Sequence, residues 1–202
     1  RFDDQYALRS AGRGALPGAG TNRYVGELYF QAHRGTYTSQ ARTKRGNRKS
    51  ELALREAELW GVAAKSLAGF AFPTEAIDEA WKTVLLNQFH DILPGSSIHR
   101  VYEEAEAGYA DVLATAEQAS RAATAALTDQ SQAMTVFNSL AWERPALVAL
   151  PDGVEGAVNA AGETLPAQVM DGKTWVQVTA PACGWTTLRL RSGQALRLAS
   201  SG

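Results

Sequence analysis

The sequence predicts an α+β fold: an antiparallel three-helix bundle followed by a partial antiparallel β-sandwich. Three observations carry this. Between residues 39 and 130 apolar side chains recur at spacings of three and four, in three separate stripes. Pro73-Thr74 and Leu93-Pro94-Gly95 cut those stripes into helix-length pieces. After Asp129 the texture changes to short runs rich in Val, Leu, Trp and Thr, punctuated by Pro151-Asp152-Gly153 and Asp171-Gly172.

Residues 1–38 read as a lead-in loop with one short strand, Val25 to Phe30; "AGRGALPGAG" has no periodicity. The first helix carries Ala53, Ala57, Trp60, Ala64 and Leu67 on one stripe, after a basic front half from Arg42 to Lys49. Thr74 is a candidate N-cap for the second helix, with Ile77, Ala80, Trp81, Val84 and Leu85 on its apolar face. That helix is expected to run to about His90 or Asp91, because Pro94 disfavours helix at Leu93 and Gly95 supplies the turn. Ser96 or Ser97 can cap a third, long helix with Val101, Ala105, Tyr109, Val112, Ala116, Ala119 and Ala123 inward. Residues 131–202 then form the start of a β-domain, with strands expected in "MTVFNSL", "ALVALP", "LPAQVM", "TWVQVTA" and "GWTTLRLRS".

Composition bounds the function. The chain has 202 residues and a net charge of −1, so no global field draws it to nucleic acid or an anionic membrane. A single cysteine, Cys183, rules out an intrachain disulfide and a thiolate zinc cluster. No apolar run reaches the roughly 20 residues of a spanning helix. The first residues lack the apolar core of a secretory signal. A start without Met and an end on "RLASSG" lead us to expect a piece of a longer protein.

Three histidines are available for chemistry. His99 lies among charged residues and reads as a solvated surface group. His33, in "HRGTYTSQ", reads as part of a helix entrance at which Thr36, Thr38 or Ser39 accepts backbone donors. His90 and Asp91 admit two readings. One is a helix-end dipole partner with a loop hydrogen bond. In the other the imidazole binds a metal and the carboxylate meets a substrate or a neighbouring ligand. Adjacent residues on regular helix point about 100° apart, so they cannot easily share one ion. One imidazole is not a metal site, since zinc takes about three or four protein ligands.

The segments "GELYFQAHRGTYTSQARTKRGNRKSELALREAE", "NQFHDILPGSSIHRVYEEA" and "TVFNSLAWERPALVALP" resemble, in order and spacing, consecutive pieces of the glycoside hydrolase family 38 α-mannosidases. The resemblance covers about residues 25–150 and is most specific from Asn87 to Ser97. It implies a large N-terminal α/β catalytic domain outside this sequence, a three-helix middle domain and C-terminal β-domains. It implies retaining hydrolysis of α-mannosides at a site with one divalent ion, usually zinc. By motif position His90 would be the metal ligand from the middle domain. Asp91 would hydrogen-bond hydroxyls of the bound mannose. Asn138, Trp142 and Arg144 match family landmarks, with strand pairing and burial of a Trp at the helix–sheet junction as their simplest role. The basic run Arg42 to Lys49 reads as a solvated face, part of which could dock on the catalytic domain.

Retaining glycosidases need two carboxylates roughly 5–5.5 Å apart. No credible pair is found here, so no catalytic residue is assigned to this chain, which alone is expected to be inactive and to hold zinc weakly. The expected partners are an α-mannoside or oligosaccharide and the N-terminal catalytic domain, with neither nucleic acid nor membrane; a second copy of the chain is a further candidate. The form "NQFHDILPGSS" resembles the bacterial and cytosolic branch, which implies a cytoplasmic location. The alternatives are a non-catalytic glycan- or protein-binding module and a family member specific for a small mannoside such as mannosylglycerate.

Overall fold

The computed structural model describes residues 35–128 and 133–191. The chain divides into two compact units, Arg1–Thr38 and Ser39–Gly202. In the first, the described residues 35–38 form a turn closed by the Thr38 amide on the Gly35 carbonyl at 3.0 Å. The expected strand Val25 to Phe30 lies outside the described residues.

The second unit begins with three helices, α1 (Ala41–Ala68), α2 (Thr74–Asn87) and α3 (His99–Ala126). Pairings along the chain fix their directions. The Trp81 indole donates to Glu58 at 3.0 Å and the Gln88 amide donates to Asn47 at 3.0 Å, so α2 runs antiparallel to α1. Gly46 abuts the Tyr109 ring, while Trp60 shares a cluster with Ala123, so α3 runs parallel to α1. A Cβ on Gly46 would come within 2.5 Å of the Tyr109 ring, so only glycine lets these helices approach this closely.

The stripes bury much as their spacing predicts. Leu54, Ala57, Ile77, Ala80, Val84, Ala105, Tyr109, Val112, Ala116 and Ala119 form the bundle core. Four positions differ. Leu54, outside the expected stripe, is fully buried while Ala53 is half-buried. Leu67 and Leu85 are exposed, and Tyr102 rather than Val101 is buried at the start of α3. Leu67 is the second-last residue of α1, where the helix has run past α3's packing surface. The serine and threonine caps are also not as expected. Gln40, in a left-handed conformation, precedes α1; Pro73 precedes α2; Ile98 precedes α3; none provides a side-chain cap.

The β-part contains β1 (Ala133–Asn138), β2 (Arg144–Ala149), β3 (Gly156–Val158), β4 (Ala167–Met170), β5 (Lys173–Ala180) and β6 (Gly184–Arg191). They form two antiparallel three-stranded sheets, ordered β1-β6-β3 and β2-β5-β4. Asp171 and Gly172 both take positive φ (50° and 74°), which a two-residue hairpin between β4 and β5 requires. Leu150, Ala157, Val176, Val178 and Leu188 form the core shared by the two sheets. The five strands expected after Asp129 all appear. Only β3 was missed, being three residues long and opened by a glycine.

The bundle and sheets meet on α1. The Trp60 ring, 3% exposed, meets Phe137 edge-on at 5.0 Å and Trp185 at 6.4 Å. Each such aromatic pair adds about 0.5–1.5 kcal/mol beyond its burial. One turn earlier, Arg55 donates to the Ser139 carbonyl at 2.9 Å and the Ser139 hydroxyl donates to Glu56 at 2.6 Å. Trp142 does not do this work: it is 62% exposed. Its carbonyl is used instead, accepting from the buried Asn138 amide at 2.8 Å, an amide that also reaches the Ala180 and Pro181 carbonyls. Asn138 thus ties the β1–β2 connection to the end of β5, and the junction tryptophans are Trp60 and Trp185.

Among the described residues three hydroxyls are buried without a hydrogen-bond partner: those of Thr43, Ser50 and Tyr109. Burial, and then the negative charge of Glu51, push the Tyr109 phenol up to about 12. In the unfolded chain the phenol ionises near its ordinary 10.0, so between pH 10 and 12 the unfolded state sheds a proton that the folded state keeps. Stability should therefore fall over that window. Replacing Tyr109 by Phe removes a buried hydroxyl that has no partner, so the variant should be between about 0 and 1 kcal/mol more stable at neutral pH. It should also lose less stability than the wild type between pH 10 and 12. Thermal melts of both proteins from pH 7 to 12 test this; a Phe variant destabilised at pH 7 would mean that the hydroxyl is satisfied.

Candidate functional site

The helix α2 ends at Asn87, three residues before His90. The cause is visible in the backbone. The amides of Ile92 and Leu93 both turn back to the Phe89 carbonyl (2.9 and 3.1 Å), and the Gly95 amide donates to Ile92 at 3.1 Å. Residues 89–95 are therefore a compact turn of short-range bonds between α2 and α3, and His90 and Asp91 lie at its tip. In this turn they do not splay as they would on regular helix. Nε2 of His90 lies 3.8 Å from Oδ2 of Asp91, and both side chains are exposed (79% and 58%). The Phe89 ring packs against the imidazole, tilted by 37° with centroids 4.1 Å apart.

The turn is held from below by α1 on both sides of its tip. On the near side, the Gln88 amide donates to Asn47 Oδ1 (3.0 Å) and Glu51 Oε1 (2.9 Å), and Asn47 donates to the same carboxylate at 3.1 Å. On the far side, Lys44 Nζ donates to the carbonyls of Leu93 (2.7 Å), Pro94 (3.4 Å) and Ser39 (2.5 Å). Partial burial lowers the Lys44 ammonium from its usual range. From the α3 side, the Ser97 hydroxyl donates to the Asp91 carbonyl at 2.6 Å, and the Ser97 amide donates to the buried Tyr102 hydroxyl at 2.6 Å. Ser97 thus braces the turn rather than capping α3. The expected cap loses to the Asp91 carbonyl, which the end of α2 left without a helical partner.

Leu85, Leu86 and Phe89 are 59, 68 and 51% exposed, so an apolar surface borders His90. His99, at the start of α3, is solvated as expected, 3.4 Å from Glu103. His33 lies outside the described residues. The basic run divides by function: Arg42 pairs with Glu106 on α3 (3.2 Å), Arg48 pairs with Glu51 (2.8 Å), and Lys44 serves the turn.

A family model described as the α-mannosidase middle domain matches residues 31–127. The helical part of the chain belongs to the α-mannosidase middle-domain family. Similar proteins include human Alpha-mannosidase 2C1, 39% identical over 132 residues, covering 63% of this chain and 13% of that protein. Alpha-mannosidase G of Dictyostelium discoideum is 54% identical over 84 residues, covering 41% of this chain and 8% of that protein. A crystal structure of a glycosyl hydrolase family 38 protein from Enterococcus faecalis shares the fold. Its TM-score is 0.62 at 15% identity, over 98% of this chain and 29% of that one. The resemblance to the α-mannosidases therefore stands, and the chain spans about an eighth of the human relative it matches.

Within this middle domain the described residues contain no group of three or more His, Cys, Asp or Glu that could hold a metal. Sequence reasoning missed Lys44, Asn47, Glu51 and Gln88. The first three sit at spacings of three and four, a polar stripe beside the apolar one, and that spacing was the available signal.

Gly95 closes the turn with φ +100°, and a Cβ there would lie 2.7 Å from Ser39 Cβ. Gly95→Ala should destabilise the chain by about 2–3 kcal/mol through strain and clash together. Gly153→Ala, with φ +79° but nothing within 4 Å, should cost about 1 kcal/mol. Urea unfolding at 25 °C compares the two; equal costs would remove the close approach to Ser39 from the account.

Proposed function

We propose that this chain is the part of a retaining α-mannosidase that supplies His90 as a metal ligand and Asp91 as a sugar contact to a catalytic site carried mainly by another domain. The observation that carries this reading is the combination at one tip. Two polar side chains stand exposed and unclustered on a turn braced by Gln88, Lys44 and Ser97, beside apolar surface at Leu85, Leu86 and Phe89. Surface of that kind is expected where another domain covers it.

The donor set fits a shared zinc site and not a complete one. His90 offers a neutral imidazole nitrogen, a good zinc donor, while the chain's described residues gather no further cluster around it. When bound, the ion would act as a Lewis acid and as a template for adjacent sugar hydroxyls. The chain's own residues have separable tasks. His90 presents one ring nitrogen, oriented by its packing against Phe89. The Asp91 carboxylate accepts hydrogen bonds from hydroxyls of a mannose residue. The braced backbone keeps both groups in place before the sugar arrives, so less ordering entropy is lost on binding. Leu85, Leu86 and Phe89 would exclude water from the rim. The substrate class we assign is therefore a terminal α-mannoside of an oligosaccharide.

His90→Ala in the enzyme that contains this chain should lower zinc content to well below one ion per chain. It should reduce α-mannosidase activity by more than about 100-fold, beyond the loss typical of an outer ligand partner. Its melting temperature should stay within a few degrees, because the ring is exposed. Asp91→Asn should keep the zinc and lower kcat/KM by about 10–100-fold, the worth of a charge-assisted hydrogen bond. Elemental analysis with mannoside kinetics measures both; a His90→Ala enzyme with full zinc and full activity contradicts the proposal.

A further inference from the structure

We infer that Lys44 is a positioning residue: its ammonium, working with the Gln88 amide on the opposite side, sets the single conformation in which the turn presents His90 and Asp91. The consequence for catalysis rests on the function proposed above; the conformational claim stands apart from it.

Apart from the Ser97 hydroxyl on the Asp91 carbonyl, the turn from Phe89 to Gly95 is closed by its own short-range bonds, which leave the Leu93 and Pro94 carbonyls to a donor on α1. Lys44 reaches both, and the Ser39 carbonyl as well, with one charged group that has three protons to give. The bond to Leu93 spans 49 residues of sequence, so it acts as a tertiary tie rather than a local cap. Gln88 is tied in the same way, over 41 residues to Asn47 and 37 to Glu51. His90 and Asp91 thus lie between two anchors on one stripe of α1, at Lys44 on one side and at Asn47 and Glu51 on the other. With either anchor gone, one of the two side-chain ties from α1 is lost, and the Ser97 hydroxyl on the Asp91 carbonyl and the packing of Ile92 on the bundle core remain. Neither anchor touches the tip itself, so Lys44 acts through the backbone and not on a ligand.

The test uses the 202-residue chain, with Lys44→Met, Lys44→Gln and Lys44→Arg compared with the wild type by amide hydrogen exchange and by the imidazole NMR signals of His90. In Lys44→Met the amides of Ile92, Leu93 and Gly95 should exchange at least about tenfold faster, as loss of a charged hydrogen bond predicts. Core amides of Val112 and Ala116 should keep their protection, and the His90 ring should show broadened or multiple signals. Lys44→Arg, which keeps charge and donors, should recover most of the protection. Lys44→Gln should fall between, and it serves in place of the Met variant if that one does not fold. Unchanged turn amides, or a loss shared equally by Val112 and Ala116, would overturn the inference. These readouts contain neither metal nor sugar, so a failure of the proposed function would leave them as they are.

Discussion

Backbone carbonyls that leave a helix early need donors, and at the end of α2 those donors come from α1 and from Ser97. Everything that is specific about the tip follows from this. Pro94 ends the helical option, Gly95 lets the chain pass against Ser39, and the carbonyls so freed are taken by the Lys44 ammonium and the Ser97 hydroxyl. The same helix carries the β-part through Arg55, Glu56 and Trp60, two to four turns further along. α1 is thus the spine of the described molecule: one stretch of it registers the exposed turn and the next registers the sheets.

Such rigidity suits a group that completes a site made elsewhere. A ligand donated across a domain boundary loses less entropy on assembly if its backbone is already fixed. On the proposed reading, the polar atoms below the turn are arranged for that purpose, and the apolar residues beside it are left for a covering domain. The bundle interior contributes in a different way. Its small residues (Gly46, Ala57, Ala105, Ala116, Ala119 and Ala123) bring α1 and α3 close, at the expense of leaving the hydroxyls of Thr43, Ser50 and Tyr109 without partners.

Much of this architecture was legible in the sequence because burial of a regular element leaves a period. Ala57, Trp60 and Ala64, or Tyr109, Val112 and Ala116, could be assigned to a core without any structure, and the Asp171-Gly172 hairpin announced itself by its turn chemistry. What stayed hidden is what depends on long-range partners. Nothing local shows that Lys44 aims at Leu93, or that Ser97 serves Asp91 instead of α3. The same holds for the tryptophans: Trp142 looked like the junction residue, yet β1 and β6 bring Phe137 and Trp185 to Trp60 and leave Trp142 outside. For the tip, residue types alone left His90 and Asp91 between a helix-end role and a ligand role. The motif's resemblance to family 38, rather than periodicity, is what favours the ligand role proposed here.

The most direct measurement is anomalous scattering at the zinc edge from crystals of the proposed mannosidase that contains this chain, with an α-mannoside analogue bound. The account predicts a peak about 2.0–2.1 Å from a ring nitrogen of His90. It also predicts the Asp91 carboxylate within hydrogen-bonding distance of sugar hydroxyls. A zinc peak fully coordinated by other residues, with the His90 ring turned into solvent, would contradict it.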